Sequence, residues 1–246
     1  MSIESADDLA GMREAGRVTT EALNVLAAHA VAGVTTAELD SIARDVLVRH
    51  GARSAPAMIY GFPGTVLISV NDEIVHGVPG ERRLQPGDLV SLDVTVEKDG
   101  FIADAARSVV IGTPSRLARR LIEGAERSLL AGLAAARAGV KVNEIGRAVH
   151  REVRHCGFNV VRGLCGHGVG RTIHEPPDVP NEFDGSQREV LTDGLVLTIE
   201  PMISAGARDA VLAADGWTLR TADGSLAAHC EHTIVIRNGE PLVLAA

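Results

Sequence analysis

Four carboxylates fall into two matched pairs. Comparing the chain with itself, Leu84, Gly87, Ser91, Leu92 and Asp93 are answered at a nearly constant offset by Leu191, Gly194, Thr198, Ile199 and Glu200. Asp93 and Glu200 thus occupy equivalent positions, each a carboxylate at the end of an otherwise apolar, strand-like run. Asp104 in FIADAARSVVI and Glu231 in HCEHTIVI form a second pair if the later half carries an insertion across much of Ala205–Thr221. Any one of these acids alone reads as an exposed strand residue or a salt-bridge partner. Four of them brought together would repel and raise one another's pKa unless something positive compensated them. A bound divalent cation is the economical compensator, and oxygen-rich ligation with one or two imidazoles suits Mn, Co, Fe or Zn at a two-metal site.

A source of imidazole lies in Cys165-Gly166-His167-Gly168-Val169-Gly170, whose glycines allow close backbone approach, with His174 following in His174-Glu175-Pro176-Pro177. The glycine spacing matches neither a dinucleotide fingerprint nor a lysine-bearing phosphate loop. His76, in Asn71-Asp72-Glu73-Ile74-Val75-His76-Gly77, stands between two strand-like runs and by itself reads as a turn histidine.

Positioning these groups requires strands backed by helices. Leu39, Ile42, Ala43, Val46 and Leu47 follow helical spacing from Thr36 to Gly51. Pro114 and Ser115 open a second helix with Leu117, Leu121, Ala125, Leu129 and Leu133 on one face and Gly139 as its stop, and a third runs from Asn143 to Gly157. Val90, Leu92, Val94 and Val96 alternate with Ser91, Asp93, Thr95 and Glu97 in a strand. Similar runs cover Val66–Val70, Leu195–Glu200 and Glu231–Arg237. The repeat continues outside the strands: Ala32-Gly33-Val34, Glu38, Leu39 and Gly51 recur as Ala138-Gly139-Val140, Glu144, Ile145 and Gly157. Each half therefore reads helix, helix, turn, strand. Two copies are too few for a solenoid, so the halves are expected to share one sheet, with helices covering its outer face and the motif-bearing strands meeting centrally.

The 246 residues are 46% hydrophobic and 23% charged, a balance that excludes disordered and membrane-spanning classes, and the net charge of -8 disfavours a broad grip on nucleic acid or anionic membrane. Three cysteines without a CxxC pair, and an N-terminus carrying acids where a targeting peptide needs basic residues, predict a reduced, cytoplasmic protein.

Taken together, these motifs resemble those of type I methionine aminopeptidases over nearly the whole length. The resemblance implies an α/β (α+β) pita-bread fold: a pseudo-twofold duplicated unit with a central curved, mostly antiparallel sheet covered by helices on its outer face. It implies a single catalytic metallopeptidase domain, 1–246, with pseudo-symmetric halves of roughly 1–112 and 113–246. The family's metal ligands map onto Asp93, Asp104, His167, Glu200 and Glu231. Asp93 would chelate the first of two divalent ions (Co, Mn, Fe or Zn), His167 and Glu200 would hold the second, and Asp104 and Glu231 would bridge them. The implied nucleophile is a bridging water or hydroxide, with Glu200 shuttling its proton, His174 stabilising the oxyanion and His76 contacting the substrate near the scissile bond. Ile59, Phe62, Leu67, Ile173 and Trp217 map onto the slot for the methionine side chain.

The implied substrate is the N-terminal methionine of a nascent polypeptide whose second residue is small, acted on by a cytoplasmic monomer with no membrane or nucleic-acid partner. Arg116, Arg119 and Arg120 read as a solvated helix face or, on this resemblance, a transient ribosome contact. Proline-directed peptidases share the ligand set but usually carry a further N-terminal domain, and a non-catalytic peptide-binding relative would usually have lost ligands. Departures from the family pattern fall in three places. Ala105 and Ala106 follow Asp104 where a hydroxyl is usual, which removes possible support for the ligands. His229-Cys230 replaces a glutamine–aromatic pair, leaving Cys230 and Cys165 as structural thiols near the site. Ile59 replaces a commoner aromatic.

Overall fold

The computed structural model describes residues 1–246. Its helices are α1 (Ala6–His29), α2 (Thr36–Arg49), α3 (Ala55–Tyr60), α4 (Arg116–Ala135) and α5 (Asn143–Cys156). In the first half the strands are β1 (Arg53–Ser54), β2 (Leu67–Val70), β3 (Glu73–Val75), β4 (Leu89–Lys98) and β5 (Phe101–Val110). The second half holds β6 (Asn159–Val160), β7 (Cys165–Gly168), β8 (Glu175–Pro180), β9 (Val196–Ile199), β10 (Met202–Ser204), β11 (Ala210–Leu212), β12 (Leu219–Thr221), β13 (Ala227–His229), β14 (Glu231–Val235) and β15 (Leu242–Ala245).

A nine-stranded sheet runs β1-β4-β5-β14-β9-β7-β8, with β2 added on β4 and β15 on β14. All its pairings are antiparallel. The order β4-β5-β14-β9 is a palindrome of the two halves, so the strands bearing Asp104 and Glu231 meet at its centre. Residues that repeat in sequence also repeat in hydrogen bonding. Gly33 N–H donates to the Leu84 carbonyl as Gly139 N–H donates to that of Leu191, both at 2.8 Å. Gly87 N–H reaches the Ile111 carbonyl as Gly194 N–H reaches that of Ile236.

Alternation along the strands gives the sheet two faces. Val94 and Val96 lie opposite Ala105 and Ala103 and pack under α1, while Leu197 lies opposite Ile234 and packs with Leu121, Leu129 and Val149 of α4 and α5. The other face carries Asp93, Thr95, Asp104, Thr198, Glu231 and Thr233. In β4 this second face is also largely closed from water, with Ser91, Thr95 and Glu97 buried. No helix is long and apolar enough to cross a membrane.

Three local readings change. The long helix α1 is not evident in the sequence, because Gly11, Gly16 and the β-branched Val18-Thr19-Thr20 depress its intrinsic propensity. Its Ser5–Asp8 capping box sets the start, and Gly16 lets it press on the sheet, since a Cβ there would lie 2.2 Å from the Leu244 carbonyl oxygen. Helix α4 begins after Ser115 as expected but ends at Ala135, its last turn closed by Ala136 N–H on the Leu133 carbonyl; Gly139 belongs to the following turn. Asp93 sits in mid-strand, because β4 continues to the tight turn at Asp99-Gly100, whereas Glu200 lies just past β9, which Pro201 terminates. On α4, Arg116 and Arg119 are exposed, and Arg120 is engaged by the Cys156 carbonyl and the Phe158 ring.

Candidate metal centre

Cross-strand register assembles the carboxylates. Thr95 lies opposite Asp104, and Ala106 lies opposite both Asp93 and Glu231, so its methyl group stands between two acids. The Thr233 hydroxyl accepts from Asp104 N–H at 2.9 Å and donates to the Asp104 carbonyl at 2.7 Å, locking β5 to β14 at that residue. Asp104 and Glu231 are 5% and 1% exposed. The side chain of Ala105 points into the apolar core under α1, away from Asp104, so a hydroxyl there would face the helices. Thr95, directly across the strand from Asp104, instead favours its ionised carboxylate.

The glycines around His167 act as expected. A Cβ on Gly166 would lie 2.5 Å from the Thr198 carbonyl oxygen, and one on Gly168 would lie 2.4 Å from that of Pro176. This closeness lets the Thr198 hydroxyl accept from His167 N–H at 3.1 Å and donate to Glu200 Oε1 at 2.9 Å. His167 Nδ1 lies 2.9 Å from the Gly168 carbonyl, an acceptor, so Nδ1 carries the proton. Nε2 therefore turns its lone pair toward the acids, 3.3 Å from Glu200 Oε1.

Whether a cation fits here is decided by the donors themselves. Asp93 Oδ1, Asp104 Oδ1 and Glu231 Oε1 are buried without a hydrogen-bond partner, which native proteins rarely tolerate unless a ligand completes them. With only protein around them, burial and mutual repulsion hold Asp93, Glu200 and Glu231 well above the usual carboxylate range, and burial lifts Asp104 to about 6. Burial drives His167 down to about 4, keeping its ring neutral, as a ligand requires. Donor atoms of Asp104, His167 and Glu231 lie within 4.8 Å of one another. The donor set fits a divalent cation.

This electrostatics predicts a pH dependence. Above about pH 6.5 the histidines are neutral in both states, while the folded metal-free chain still holds carboxyl protons that the unfolded chain, with pKa values of about 4, has released. Its stability therefore falls as pH rises through the raised carboxyl pKa values. Metal displaces those protons, so the rise in Tm produced by Mn is expected to grow between about pH 6 and pH 8, with proton release on binding measurable by calorimetry in buffers of different ionisation enthalpy. A Tm increment independent of pH would contradict the cluster's raised pKa values.

One cavity is lined by Asp93, Asp104, His167, Glu200 and Glu231 together with His76, His174, Phe62, Leu67, Ile173 and Trp217. Ile59 is the exception: it is 40% exposed and lies outside the lining. In the one-and-a-half turns of α3, Pro56 and Tyr60 share the inward face, and a residue adjacent to Tyr60 points elsewhere. Phe62 and Trp217 meet edge to face with centroids 5.3 Å apart. Trp217 is carried by the β11–β12 hairpin of the insertion, which pairs with β3 just ahead of His76. His76 adopts φ 60°, an uncommon conformation for a non-glycine residue, and its carbonyl accepts from the Thr218 hydroxyl. The residue is exposed overall, yet its ring lines the cavity, where burial lowers its pKa.

Tyr60 was not among the residues expected here. Its hydroxyl lies 2.6 Å from His174 Nδ1, and the His174 and His167 ring centroids are 4.3 Å apart. The i, i+4 relation of Pro56 and Tyr60 ahead of Gly61 was the available signal. His229 was noted only as a departure, yet it lies inside the carboxylate cluster. Cys165 and Cys230 are held protonated: burial is the main cause, lifting them to about 11 and about 12, so neither is an activated thiolate.

A duplicated antiparallel sheet gathering four carboxylates and a neutral imidazole in one cavity is the arrangement of a metal-dependent hydrolase of the pita-bread fold. The profile of metallopeptidase family M24 matches residues 10–238, and the chain belongs to that family. It is 42% identical to methionine aminopeptidase 2 of Bacillus subtilis (strain 168) over 246 residues, 99% of each chain. The crystal structure of methionine aminopeptidase from Rickettsia prowazekii superposes with a TM-score of 0.96 at 34% identity, covering 100% of both chains. The prolidase from Pyrococcus furiosus shares the fold, with a TM-score of 0.80 at 20% identity, but only 65% of that chain is covered.

Proposed function

We propose that this protein removes the N-terminal methionine from polypeptides whose second residue is small, using two divalent ions held by Asp93, Asp104, His167, Glu200 and Glu231. The observation that carries this reading is the meeting, in one cavity, of that donor set with an apolar slot formed by Phe62, Leu67, Ile173 and Trp217. An unbranched thioether fits such a slot, which has no charged group to pair with a charged side chain.

Ions bound at this donor set would supply Lewis acidity, polarising a carbonyl and making water available as a nucleophile near neutral pH. Glu200 accepts the proton of the attacking water and passes it to the leaving amine as the C–N bond breaks. Its Oε1 is held by the Thr198 hydroxyl, which fixes the orientation of the carboxylate for that transfer. Tyr60 donates its hydroxyl proton to His174 Nδ1, so the neutral His174 ring carries its own proton on Nε2 and offers it to the oxygen that becomes negative in the tetrahedral intermediate. His76, which lines the same cavity, contacts the substrate beside the scissile bond.

The test compares hydrolysis of Met-Ala-Ser, Met-Leu-Ser and Ala-Pro-Ser by chelated protein before and after Mn or Co is restored. Metal-dependent release of methionine from Met-Ala-Ser, with at least about tenfold less from Met-Leu-Ser, is expected. Cleavage of Ala-Pro-Ser instead would move the assignment to a proline-directed peptidase.

A further inference from the structure

His229 is 1% exposed, and neither of its ring nitrogens has a hydrogen-bond partner. Its backbone is clamped instead. The N–H donates to the Ser108 hydroxyl at 3.0 Å, the carbonyl accepts from the same hydroxyl at 2.8 Å, and β13 pairs the residue with Met202 on β10. So anchored, the ring enters the acid cluster with Nε2 3.7 Å from Glu200 Oε2 and 3.9 Å from Glu231 Oε2, and Nδ1 4.0 Å from Asp93 Oδ2. These separations are too long for hydrogen bonds. They are the spacing of donors that share a cation, since two ligands each about 2.1 Å from one ion stand up to about 4.2 Å apart. Glu200, His229 and Glu231 bring donor atoms within 4.8 Å of one another, as Asp104, His167 and Glu231 do, and Glu231 belongs to both groups.

We propose that His229 is a further ligand of the metal centre, joining Glu200 and Glu231 so that the cations are held by two imidazoles rather than one. The proposal rests on the metal-dependent reading above and adds a donor to it. A buried imidazole with both nitrogens unpaired is costly in the metal-free protein, and ligation through Nε2 relieves part of that cost. Imidazole favours Co, Fe and Zn, whereas Mn is better served by oxygen donors, so His229 biases the centre away from Mn.

The test uses the full-length protein stripped of metal and its His229→Ala and His229→Gln variants, each titrated with Co or Mn alone by calorimetry. The cobalt forms are then examined by NMR for exchangeable, hyperfine-shifted imidazole N–H resonances. Two such resonances are expected in the unmodified protein and one in each variant. Cobalt affinity is expected to fall at least about tenfold in the variants, and manganese affinity less. One resonance in the unmodified protein, or equal cobalt affinity in all three, overturns the role of His229 while leaving the metal centre standing. Absence of cobalt uptake by the unmodified protein overturns the metal centre itself. The unmodified protein decides the resonance count even if His229→Ala folds poorly, and glutamine keeps much of the side chain's volume at that position.

Discussion

Glu231→Gln and Asp104→Asn are each expected to lower turnover of Met-Ala-Ser about a thousandfold while leaving the metal-free fold intact or more stable. Both acids are buried at the junction of β5 and β14, where each has an oxygen without a protein partner. Removing the charge deletes an anionic donor from the centre, and charge stabilisation by a metal site is worth several kcal/mol in the transition state, of which about 4 kcal/mol corresponds to a thousandfold. Stability moves the other way. In the metal-free chain these carboxyls carry raised pKa values, so at about pH 7.5 a neutral amide relieves repulsion that the native acid suffers. Thermal unfolding of the stripped variants should therefore show a Tm equal to or above that of the stripped parent, and calorimetry should show weaker uptake of at least one ion. Full turnover in both variants at limiting metal would sink the assignment of these residues to the centre.

Gly166→Ala is expected to cost about 1–3 kcal/mol of stability and about a hundredfold in turnover, although it adds one methyl group and touches no ligand directly. The new Cβ would lie 2.5 Å from the Thr198 carbonyl oxygen and 3.1 Å from the Thr198 hydroxyl. Strand β7 must then move off β9. The same hydroxyl holds His167 N–H on one side and Glu200 Oε1 on the other, so displacing it shifts two donors together. Thermal unfolding and steady-state kinetics would measure both effects. Gly80→Ala is the control, because a Cβ there meets nothing within 4 Å. A Gly166→Ala protein with unchanged Tm and turnover would show that β7 has slack and that His167 is not positioned by this contact.

Much of the centre was legible because it is duplicated. Short-range alternation marks β4, β9 and β14 as strands, and the internal repeat matches Asp93 to Glu200 and Asp104 to Glu231. The repeat also anticipated that the motif-bearing strands meet centrally, as β5 and β14 do in the order β4-β5-β14-β9. Where no repeat or strong periodicity was available, the reading failed. Helix α1 hides behind glycines and β-branched residues that lower its propensity; packing on the sheet, to which Gly16 conforms, outweighs that preference. Ile59 was assigned to the cavity and Tyr60 was not, because a six-residue helix is too short for its phase to be read from apolar spacing.

The sequence by itself determined the duplicated unit, the strands that carry the acids and the chemical types of the principal donors, because period-two alternation and a repeat are local or self-referential patterns. Only the tertiary structure decided which side chains share the cavity. It turned Ala105 toward the helices and Tyr60 onto His174, and it delivered His229 into the acids through a backbone clamp on Ser108. These outcomes depend on cross-strand register and on helix phase, where a shift of one residue sends a side chain to the opposite face of a strand or around a helix, and contacts distant in the chain set both.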